Sequence, residues 1–403
     1  MFWQHPIDQA LSRLKRSVHA SLKVVLWDGR EVELGDKPPR VTLRVRNRRT
    51  AAALASPSLL TLGQAYIEGD VEVEGDLRDA IRSAAEISRA RAGGMFDRAG
   101  PSGARHSRTV DRDAIRHHYD VSNEFYALWL DPQLVYSCAY FRTAADTLEQ
   151  AQVAKLDHIC TKLRLAPGDR FLDIGCGWGA LVIHAASRYG VQATGITLSE
   201  NQHRLAQERI RAAGLEGRCR VLLEDYRDHA GAASYDKVAS VGMFEHVGLA
   251  NLPGYFGAVR RLLRERGLFL NHGITSSDVR NRAVGMGAGE FIDRYVFPKG
   301  ELPHLHRVIH DMAAQAFEVH DVECLRPHYA RTLELWSVNF ERRYQQAVAE
   351  AGERTARIWR LYLAGCALAF EQRWISIHQV LASRMEQPGR SEVPMTREWM
   401  YRS

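Results

Sequence analysis

The sequence predicts an α/β protein whose main domain is built on a doubly wound, mostly parallel sheet. Three observations favour this class. Residues 171–179, Phe-Leu-Asp-Ile-Gly-Cys-Gly-Trp-Gly, form an apolar strand that breaks into a glycine-rich turn before a helical run at 180–188. Strand-like and helix-like segments then alternate to about residue 271. Further helical segments follow, and these can cover one edge of the sheet.

A small mixed α/β module comes before this domain. Residues 22–34 are a predicted hairpin with Asp28-Gly29 as its turn, and residues 40–45 are a further strand. Residues 77–90 have the apolar period of an amphipathic helix. The module can therefore form a sheet covered by a helix.

A segment without apolar period separates the two parts. Residues 92–108 are rich in Gly, Ser and Arg and contain Pro101, a composition typical of a linker. We therefore predict an N-terminal basic domain at 1–91, a flexible linker at 92–110 and a second domain at 111–403. The second domain begins with predicted helices at 111–129 and 148–165.

The elements of the second domain follow from the periodicity of its apolar residues. The predicted strands after the glycine turn are 191–196, 220–223 and 237–241. The predicted helices beyond residue 300 are 305–316, 329–350 and 354–382.

The glycine turn indicates the kind of ligand. Dinucleotide-binding turns have the spacing G-x-G-x-x-G and place a pyrophosphate at a helix N-terminus, whereas Gly175, Gly177 and Gly179 have the spacing G-x-G-x-G. This spacing suits S-adenosylmethionine, which carries no phosphate. Polar residues at 197–202 follow the second strand, where a ribose would lie, and residues 225–228 could bind adenine.

Composition sets bounds on the class of protein. The chain has 403 residues, of which 25% are charged and 45% hydrophobic, as in ordinary soluble domains. No apolar run approaches the roughly 18 residues that a membrane span needs, and the N-terminus lacks the apolar core of a secretory signal. The six cysteines form no C-x-x-C pair, so we expect neither a disulfide framework nor a metal site.

Basic residues are concentrated near the N-terminus. The net charge is +6, and the first fifty residues hold eleven Lys and Arg against five Asp and Glu. Anionic lipid headgroups and nucleic acid would both attract such a segment. Solvated charge that only aids solubility is the alternative explanation.

Six motifs of the second domain lie at residues 118–120, 136–141, 171–179, 244–248, 291–298 and 328–333. Together they resemble the cyclopropane-fatty-acyl-phospholipid synthase family, which includes enzymes similar to mycolic acid cyclopropane synthases. The resemblance covers roughly residues 111–384, and the N-terminal module looks like the smaller lipid-engaging domain of that family. The resemblance implies the Rossmann-like fold of class I methyltransferases.

The resemblance implies a reaction and a substrate. S-adenosylmethionine would supply a methylene equivalent to the cis double bond of an unsaturated phospholipid acyl chain, giving a cyclopropane ring through a carbocation. Because an alkene is a weak nucleophile, such an enzyme has to align it with the methyl donor and exclude water. Aromatic faces stabilise cations, and the candidates for this role are Tyr136, Tyr140, Phe141, Phe244 and Tyr295.

The family also uses bound bicarbonate to remove the proton. By resemblance, the bicarbonate site of this chain comprises Cys138, Glu245, His272, the main chain of Ile274, and Tyr329. Glu245 would accept the hydrogen of the anion or orient His272. His272 and Tyr329 would donate hydrogen bonds to the oxygens of the anion.

The resemblance likewise assigns the cofactor contacts. Those residues are Tyr136 and Ser137 at the methionine end, Asp173, Gly175 and Gly177 in the turn, Thr197, Leu198 and Gln202 at the ribose, and Asp225, Tyr226 and Arg227 at the adenine. The sequence departs from the family pattern at Ser122, where glycine is usual, and at Gly273 and Thr275, on either side of Ile274.

Other functions stay open on the sequence alone. A related methyltransferase would resolve the cation to a methyl or methylene branch, and a non-catalytic lipid-binding protein could keep the same fold. Nucleic-acid methylation is disfavoured because Met243-Phe244-Glu245-His246 stands where an N-P-P-Y type motif would follow the fourth strand. We expect a cytoplasmic protein that associates peripherally with the inner membrane surface, with no nucleic-acid partner. A homodimer is left open.

Overall fold

The structure is a computed structural model that describes residues 22–35, 37–53, 58–92, 95–96, 121–385 and 393–401. The motif at residues 118–120, most of the predicted linker at 92–110 and the first part of the predicted helix at 111–129 lie outside the described residues. So do Arg13, Lys15 and Arg16 of the basic N-terminus.

The described residues form two sheets. The strands are β1 (Leu22–Val25), β2 (Glu31–Leu34), β3 (Val41–Val45), β4 (Val71–Glu74), β5 (Arg170–Ile174), β6 (Gln192–Thr197), β7 (Cys219–Leu223), β8 (Tyr235–Val241), β9 (Leu263–Ser276), β10 (Phe317–Cys324) and β11 (Ile375–Arg384).

Helices cover both sheets. Those in the described part of the chain are α1 (Arg48–Ala53), α2 (Leu59–Ile67), α3 (Leu77–Ala92), α4 (Asn123–Ala127), α5 (Leu148–Lys162), α6 (Ala180–Tyr189), α7 (Glu200–Ala212), α8 (Leu252–Leu262), α9 (Ala288–Tyr295), α10 (Leu305–Ala314), α11 (Arg326–Arg342), α12 (Tyr344–Ala351) and α13 (Glu353–Glu371). Two short 3₁₀ helices occur at Phe244–His246 and Glu398–Tyr401.

The N-terminal sheet has the strand order β2-β1-β3-β4. The predicted hairpin is confirmed, since β1 and β2 pair antiparallel with Leu22 opposite Leu34. Alternate residues of β3 are buried, as expected for a sheet with one face on a core. Helix α3 confirms the predicted amphipathic helix.

The larger sheet has the order β10-β11-β9-β8-β5-β6-β7. Its strands β9, β8, β5, β6 and β7 are parallel, which confirms the predicted doubly wound α/β class. The two remaining strands, β11 and β10, pair antiparallel at one edge. Strand β5 is buried from Phe171 to Ile174, because helices cover both faces of a parallel sheet.

The prediction of one helix over residues 354–382 is wrong. Helix α13 ends at Glu371, Arg373 adopts a positive φ of 59°, and β11 begins at Ile375. The β-branched residues Ile375, Ile377 and Val380 suit this strand. The predicted helix at 329–350 is also wrong as a single element, since it is divided between α11 and α12 at Arg343.

The N-terminal domain packs directly on the larger one. Arg78 pairs with Glu334 of α11 at 2.7 Å, and Arg357 of α13 pairs with Glu72 at 3.1 Å. Arg360 Nη1 lies 3.0 Å from the Tyr66 hydroxyl. These contacts hold α2, α3 and α13 around a common space. Among the described residues, no helix combines the length and the apolar character that crossing a bilayer requires.

Candidate active site

A cleft of about 150 Å³ opens at the carboxyl ends of β5, β6 and β8. Ligands bind at this edge of doubly wound sheets. The structure brings all eleven residues predicted to bind the cofactor to this cleft, namely Tyr136, Ser137, Asp173, Gly175, Gly177, Thr197, Leu198, Gln202, Asp225, Tyr226 and Arg227.

The glycine turn lets the backbone form one wall of the cleft. Gly175 has a φ of 81°, and a Cβ built there would lie 2.8 Å from Met243 Cγ. A side chain at this position would therefore meet both backbone strain and a collision. Gly179 also has a positive φ, 82°, and caps the N-terminus of α6.

Asp173, at the end of β5, supplies a buried polar group to the cleft. Its side chain is buried, and Oδ1 has no hydrogen-bond partner among the described residues. Burial raises the pKa of Asp173 to about 7, and the nearby Lys155 opposes that increase. A buried carboxylate oxygen without a partner is costly, so it is suited to a cationic or hydrogen-donating ligand group.

Lys155 is a site residue that the sequence reasoning missed. Its Nζ donates a hydrogen bond of 2.9 Å to Ser137 Oγ, and its side chain lines the cleft. Burial lowers the pKa of Lys155 to about 8, while Asp131 opposes the decrease. The sequence feature that could have indicated Lys155 is the presence of a lysine among the apolar residues of the predicted helix at 148–165.

The far end of the cleft is preorganised by side-chain pairs. The Thr197 hydroxyl donates to Gln202 Oε1 at 2.8 Å. Arg227 contacts both oxygens of Asp225, at 2.9 and 2.6 Å, and its guanidinium lies 5.5 Å from the centre of the Tyr226 ring. The planar Tyr226 and the charged pair thus form a surface of defined shape.

A second, larger cavity adjoins the cleft. It encloses about 540 Å³ and is lined mainly by apolar side chains. Tyr136, Ser137, Gly242 and His246 line both cavities. We call this space the apolar chamber. The N-terminal domain contributes Leu43, Leu59, Leu62, Gly63, Tyr66, Val71, Val73, Leu77, Ala80, Ile81 and Ala84 to its wall.

The five residues assigned by resemblance to anion binding all line the apolar chamber: Cys138, Glu245, His272, Ile274 and Tyr329. Glu245 belongs to the 3₁₀ turn after β8. Its Oε1 accepts a 2.7 Å hydrogen bond from the Ile274 backbone N–H, and its buried Oε2 has no partner in the described structure. Burial raises the pKa of Glu245 to about 7.

His272 lies on β9 and is almost completely buried. Burial lowers the pKa of His272 well below its usual range, and the positive charges of Lys155 and Lys162 add to this effect. The imidazole is therefore neutral near pH 7. Its Nδ1 lies 3.3 Å from Nε2 of Gln379, and its own Nε2 is buried without a partner among the described residues.

Cys138 and Tyr329 complete this side of the chamber. The Cys138 thiol donates to the Ala139 carbonyl at 3.3 Å, and burial raises the pKa of the thiol, so it stays protonated. The Tyr329 ring lies 4.6 Å from the ring of Phe370, which also lines the chamber.

Of the five aromatic candidates, one lines the apolar chamber in the described part of the chain. Tyr136 lines it, with its hydroxyl 3.1 Å from the Tyr362 hydroxyl. Tyr140 instead stacks between His158 and His328, at 4.2 and 4.9 Å. Phe141, Phe244 and Tyr295 are not among the described residues that line the chamber.

Two of the departures from the family pattern, Ser122 and Gly273, have local structural roles. Ser122 caps α4, accepting a 3.1 Å hydrogen bond from the Phe125 N–H, and its hydroxyl donates to Glu350 at 2.6 Å. A Cβ on Gly273 would lie 1.8 Å from Phe244 Cε1, so glycine allows the Phe244 ring to pack on β9.

Comparisons with known proteins show the family to which the chain belongs. A family model described as mycolic acid cyclopropane synthetase matches residues 106–380. Another, described as a domain of unknown function (DUF7884), matches residues 11–92. The probable fatty acid methyltransferase of Pseudomonas putida is 50% identical over 390 residues, which are 96% of this chain and 98% of the relative.

Two further proteins are similar over the larger domain. The cyclopropane-fatty-acyl-phospholipid synthase of Escherichia coli strain K12 is 41% identical over 269 residues, 67% of each chain. The structure of mycolic acid cyclopropane synthase CmaA1 complexed with SAH and CTAB superposes with a TM-score of 0.64 at 35% identity, covering 71% of this chain and 100% of that one. The chain therefore belongs to the mycolic acid cyclopropane synthetase family and is, as a member of it, an S-adenosylmethionine-dependent C-methyltransferase.

Proposed function

We propose that this enzyme converts the cis double bond of an unsaturated phospholipid acyl chain to a cyclopropane ring, with S-adenosylmethionine as donor and bicarbonate as base. The observation that carries the proposal is the junction of the two cavities. A polar cleft and an apolar chamber share Tyr136, Ser137, Gly242 and His246. A donor in the cleft and an alkene in the chamber would meet at that junction.

The cleft fits S-adenosylmethionine. The unpartnered Asp173 Oδ1 can accept from the ammonium group of the methionine end, and Lys155 holds Ser137 beside it. The opposite end, at Asp225 and Tyr226, has the charge and the flat ring that an adenine would contact. When bound, S-adenosylmethionine supplies an electrophilic methyl group, and bicarbonate supplies a base for the proton lost on ring closure.

The apolar chamber fits an acyl chain. Its wall is mostly aliphatic and aromatic, so an alkyl chain entering it would gain about 0.8 kcal/mol for each CH₂ group removed from water. The same wall excludes water, which would otherwise capture a carbocation. The Tyr136 ring faces the junction and can stabilise positive charge there.

The polar corner of the chamber fits a small oxyanion. Glu245 Oε2 and His272 Nε2 are both buried and lack partners among the described residues, although each is a strong hydrogen-bonding group. Glu245 would accept the hydrogen of the anion, while His272 and Tyr329 would donate to its oxygens. Charge-assisted hydrogen bonds of this kind contribute about 1.5–3 kcal/mol each.

We further propose peripheral binding to an anionic bilayer. The N-terminal domain supplies one wall of the apolar chamber and also carries the excess of basic residues in the first fifty positions. An acyl chain could thus leave a bilayer close to the chamber while headgroups contact basic side chains.

The product of the reaction tests the proposal. Purified enzyme, S-adenosylmethionine carrying a labelled methyl group and vesicles of a cis-monounsaturated phospholipid should give an acyl chain heavier by one CH₂ unit that no longer reacts as an olefin. A labelled product that retains an olefin or carries an exocyclic methylene would reject ring closure and establish a branching methyltransferase. Tight vesicle binding without label transfer would identify a lipid-binding protein.

A further inference from the structure

Gln379 is a buried polar residue that has no assigned role in the proposed reaction. It lies on β11 directly opposite His272 on β9, and neither side chain is exposed by more than 1%. Ile375 and Ile377, on the same face of β11, line the apolar chamber. Gln379 is therefore placed behind His272, on the side of the imidazole away from the unpartnered Nε2.

The contact between the two residues has a chemical consequence. Gln379 Nε2 lies 3.3 Å from His272 Nδ1. With the Gln379 amide in this orientation, its NH₂ group faces Nδ1, and because an NH₂ group can only donate, Nδ1 is the acceptor. A neutral imidazole has one proton to place, and with Nδ1 as acceptor that proton is on Nε2.

The protonated nitrogen is then the one that can reach a ligand. His272 Nε2 is buried without a partner in the described part of the chain, and both His272 and Glu245 line the chamber. The opposite tautomer would present a lone pair to an anion. Because a lone pair repels an oxyanion and an N–H attracts it, the tautomer decides whether His272 can help to bind one.

We propose that Gln379 is a positioning residue, which holds His272 as the Nε2-protonated tautomer and so directs an N–H toward an anion beside Glu245. This inference rests on the proposed anion site for its purpose, but the tautomer can be measured without any reaction. Hydrogen-bond partners of this kind fix the tautomer and orientation of histidine ligands at metal sites.

The direct test is the ¹⁵N spectrum of the two ring nitrogens in protein labelled at histidine. The His272 signals are assigned by their loss in His272→Asn. We expect a protonated-type Nε2 and an unprotonated-type Nδ1 in the unsubstituted protein. The reverse pattern would overturn the proposal, whether or not the enzyme forms rings, and this measurement needs no variant of Gln379.

Variants extend the test. In Gln379→Glu the new carboxylate can only accept when ionised, so the proton should move to Nδ1, and Gln379→Leu should give a mixture of tautomers. The control is Gln372→Glu, an identical change at an exposed residue after α13, which should leave the spectrum unchanged. An unchanged spectrum in both folded Gln379 variants would refute the role of Gln379.

Bicarbonate titration separates this inference from the proposed function. If both hold, Gln379→Glu should need about tenfold or more bicarbonate for half-maximal turnover, with its affinity for S-adenosylmethionine within about twofold of the unsubstituted enzyme. The tautomer of His272 could change in Gln379→Glu while neither the unsubstituted enzyme nor the variant responds to bicarbonate. That result would overturn the anion site and the direction of the N–H toward an anion. It would leave the hydrogen bond to Gln379 established.

Discussion

Glu245 and Ile274 are joined by a 2.7 Å hydrogen bond from the Ile274 backbone N–H to Glu245 Oε1, and the second carboxylate oxygen is buried beside the apolar chamber with no partner among the residues that the structure describes. The bond links the turn after β8 to strand β9. It fixes the carboxylate where a small ligand could use its free oxygen.

Replacing Glu245 with Ala should therefore damage turnover far more than cofactor binding. Loss of one charge-assisted hydrogen bond of about 1.5–3 kcal/mol corresponds to a decrease in kcat of about 10- to 150-fold. The dissociation constant for S-adenosylmethionine, measured by calorimetry, should change less than about threefold. The exposed Glu216→Ala serves as control. Full activity in Glu245→Ala would show that the anion site is misplaced.

Glu245 should also make stability depend on pH. Its pKa is raised from 4.5 to about 7 by burial, so the folded state binds the proton more tightly than the unfolded state. The resulting stabilisation is fully present below about pH 4.5 and is lost as pH rises toward 7. A shift of this size corresponds to about 3 kcal/mol as an upper bound.

Glu245→Gln removes this titration while keeping an oxygen for the Ile274 N–H. The variant should therefore gain stability relative to the unsubstituted protein between pH 5 and pH 8, as measured by urea unfolding at both values. Other buried acids such as Asp173 titrate in both proteins, so the difference between their free energies of unfolding reports on Glu245 alone. A constant difference between the two proteins across this range would mean that Glu245 has an ordinary pKa in the folded state.

The parts of this molecule that the sequence could predict are those with local signals. The glycine turn at 175–179 and the alternating segments around it specify the parallel half of the sheet. The role of Glu245 could be predicted only from the family resemblance of the motif at 244–248. A Glu-His pair after a strand does not by itself indicate an anion site.

Strand β11 could not be predicted because its formation depends on distant partners. Residues 375–384 follow closely after a helix, and they pair with β9 about a hundred residues earlier and with β10 about sixty residues earlier. Gln379 was missed for this reason, because a helical interpretation does not place it opposite His272. Lys155 was missed because its burial arises only when α5 packs against α6 and the side chain of Lys155 reaches Ser137.

Gly175→Val should abolish binding of S-adenosylmethionine. The left-handed backbone at Gly175 disfavours any side chain, and a Cβ would lie 2.8 Å from Met243 Cγ in the wall of the cleft. Calorimetry should detect no heat of binding. Gly254→Val is the matched control, because a Cβ at Gly254 would meet no atom within 4 Å. Unchanged affinity in folded Gly175→Val would remove the glycine turn from the cofactor site.

Membrane binding should depend on basic residues near the N-terminus. Substituting Gln for Arg13, Lys15 and Arg16, three of the eleven basic residues among the first fifty, should weaken binding to anionic vesicles, and added salt should weaken binding of the unsubstituted protein.

A control with the same change in net charge is Gln at the exposed Arg188, Arg211 and Arg218 of the larger domain. Vesicle sedimentation should show that this control binds like the unsubstituted protein. Equal binding to neutral and anionic vesicles would contradict an electrostatic attachment.

Filling the apolar chamber from its N-terminal wall should block long acyl chains without affecting the cofactor. Ala84 of α3 lines the chamber and is 8% exposed, so Ala84→Trp would place an indole in a space of about 540 Å³. Turnover of long-chain phospholipid should decrease at least about tenfold because the alkene can no longer reach the junction. The affinity for S-adenosylmethionine should be retained, because Ala84 does not line the cleft. Arg89→Trp places the same ring on the exposed face of the same helix and should remain active. If Ala84→Trp folds with unchanged thermal stability and turns over every substrate normally, the chamber does not hold the acyl chain.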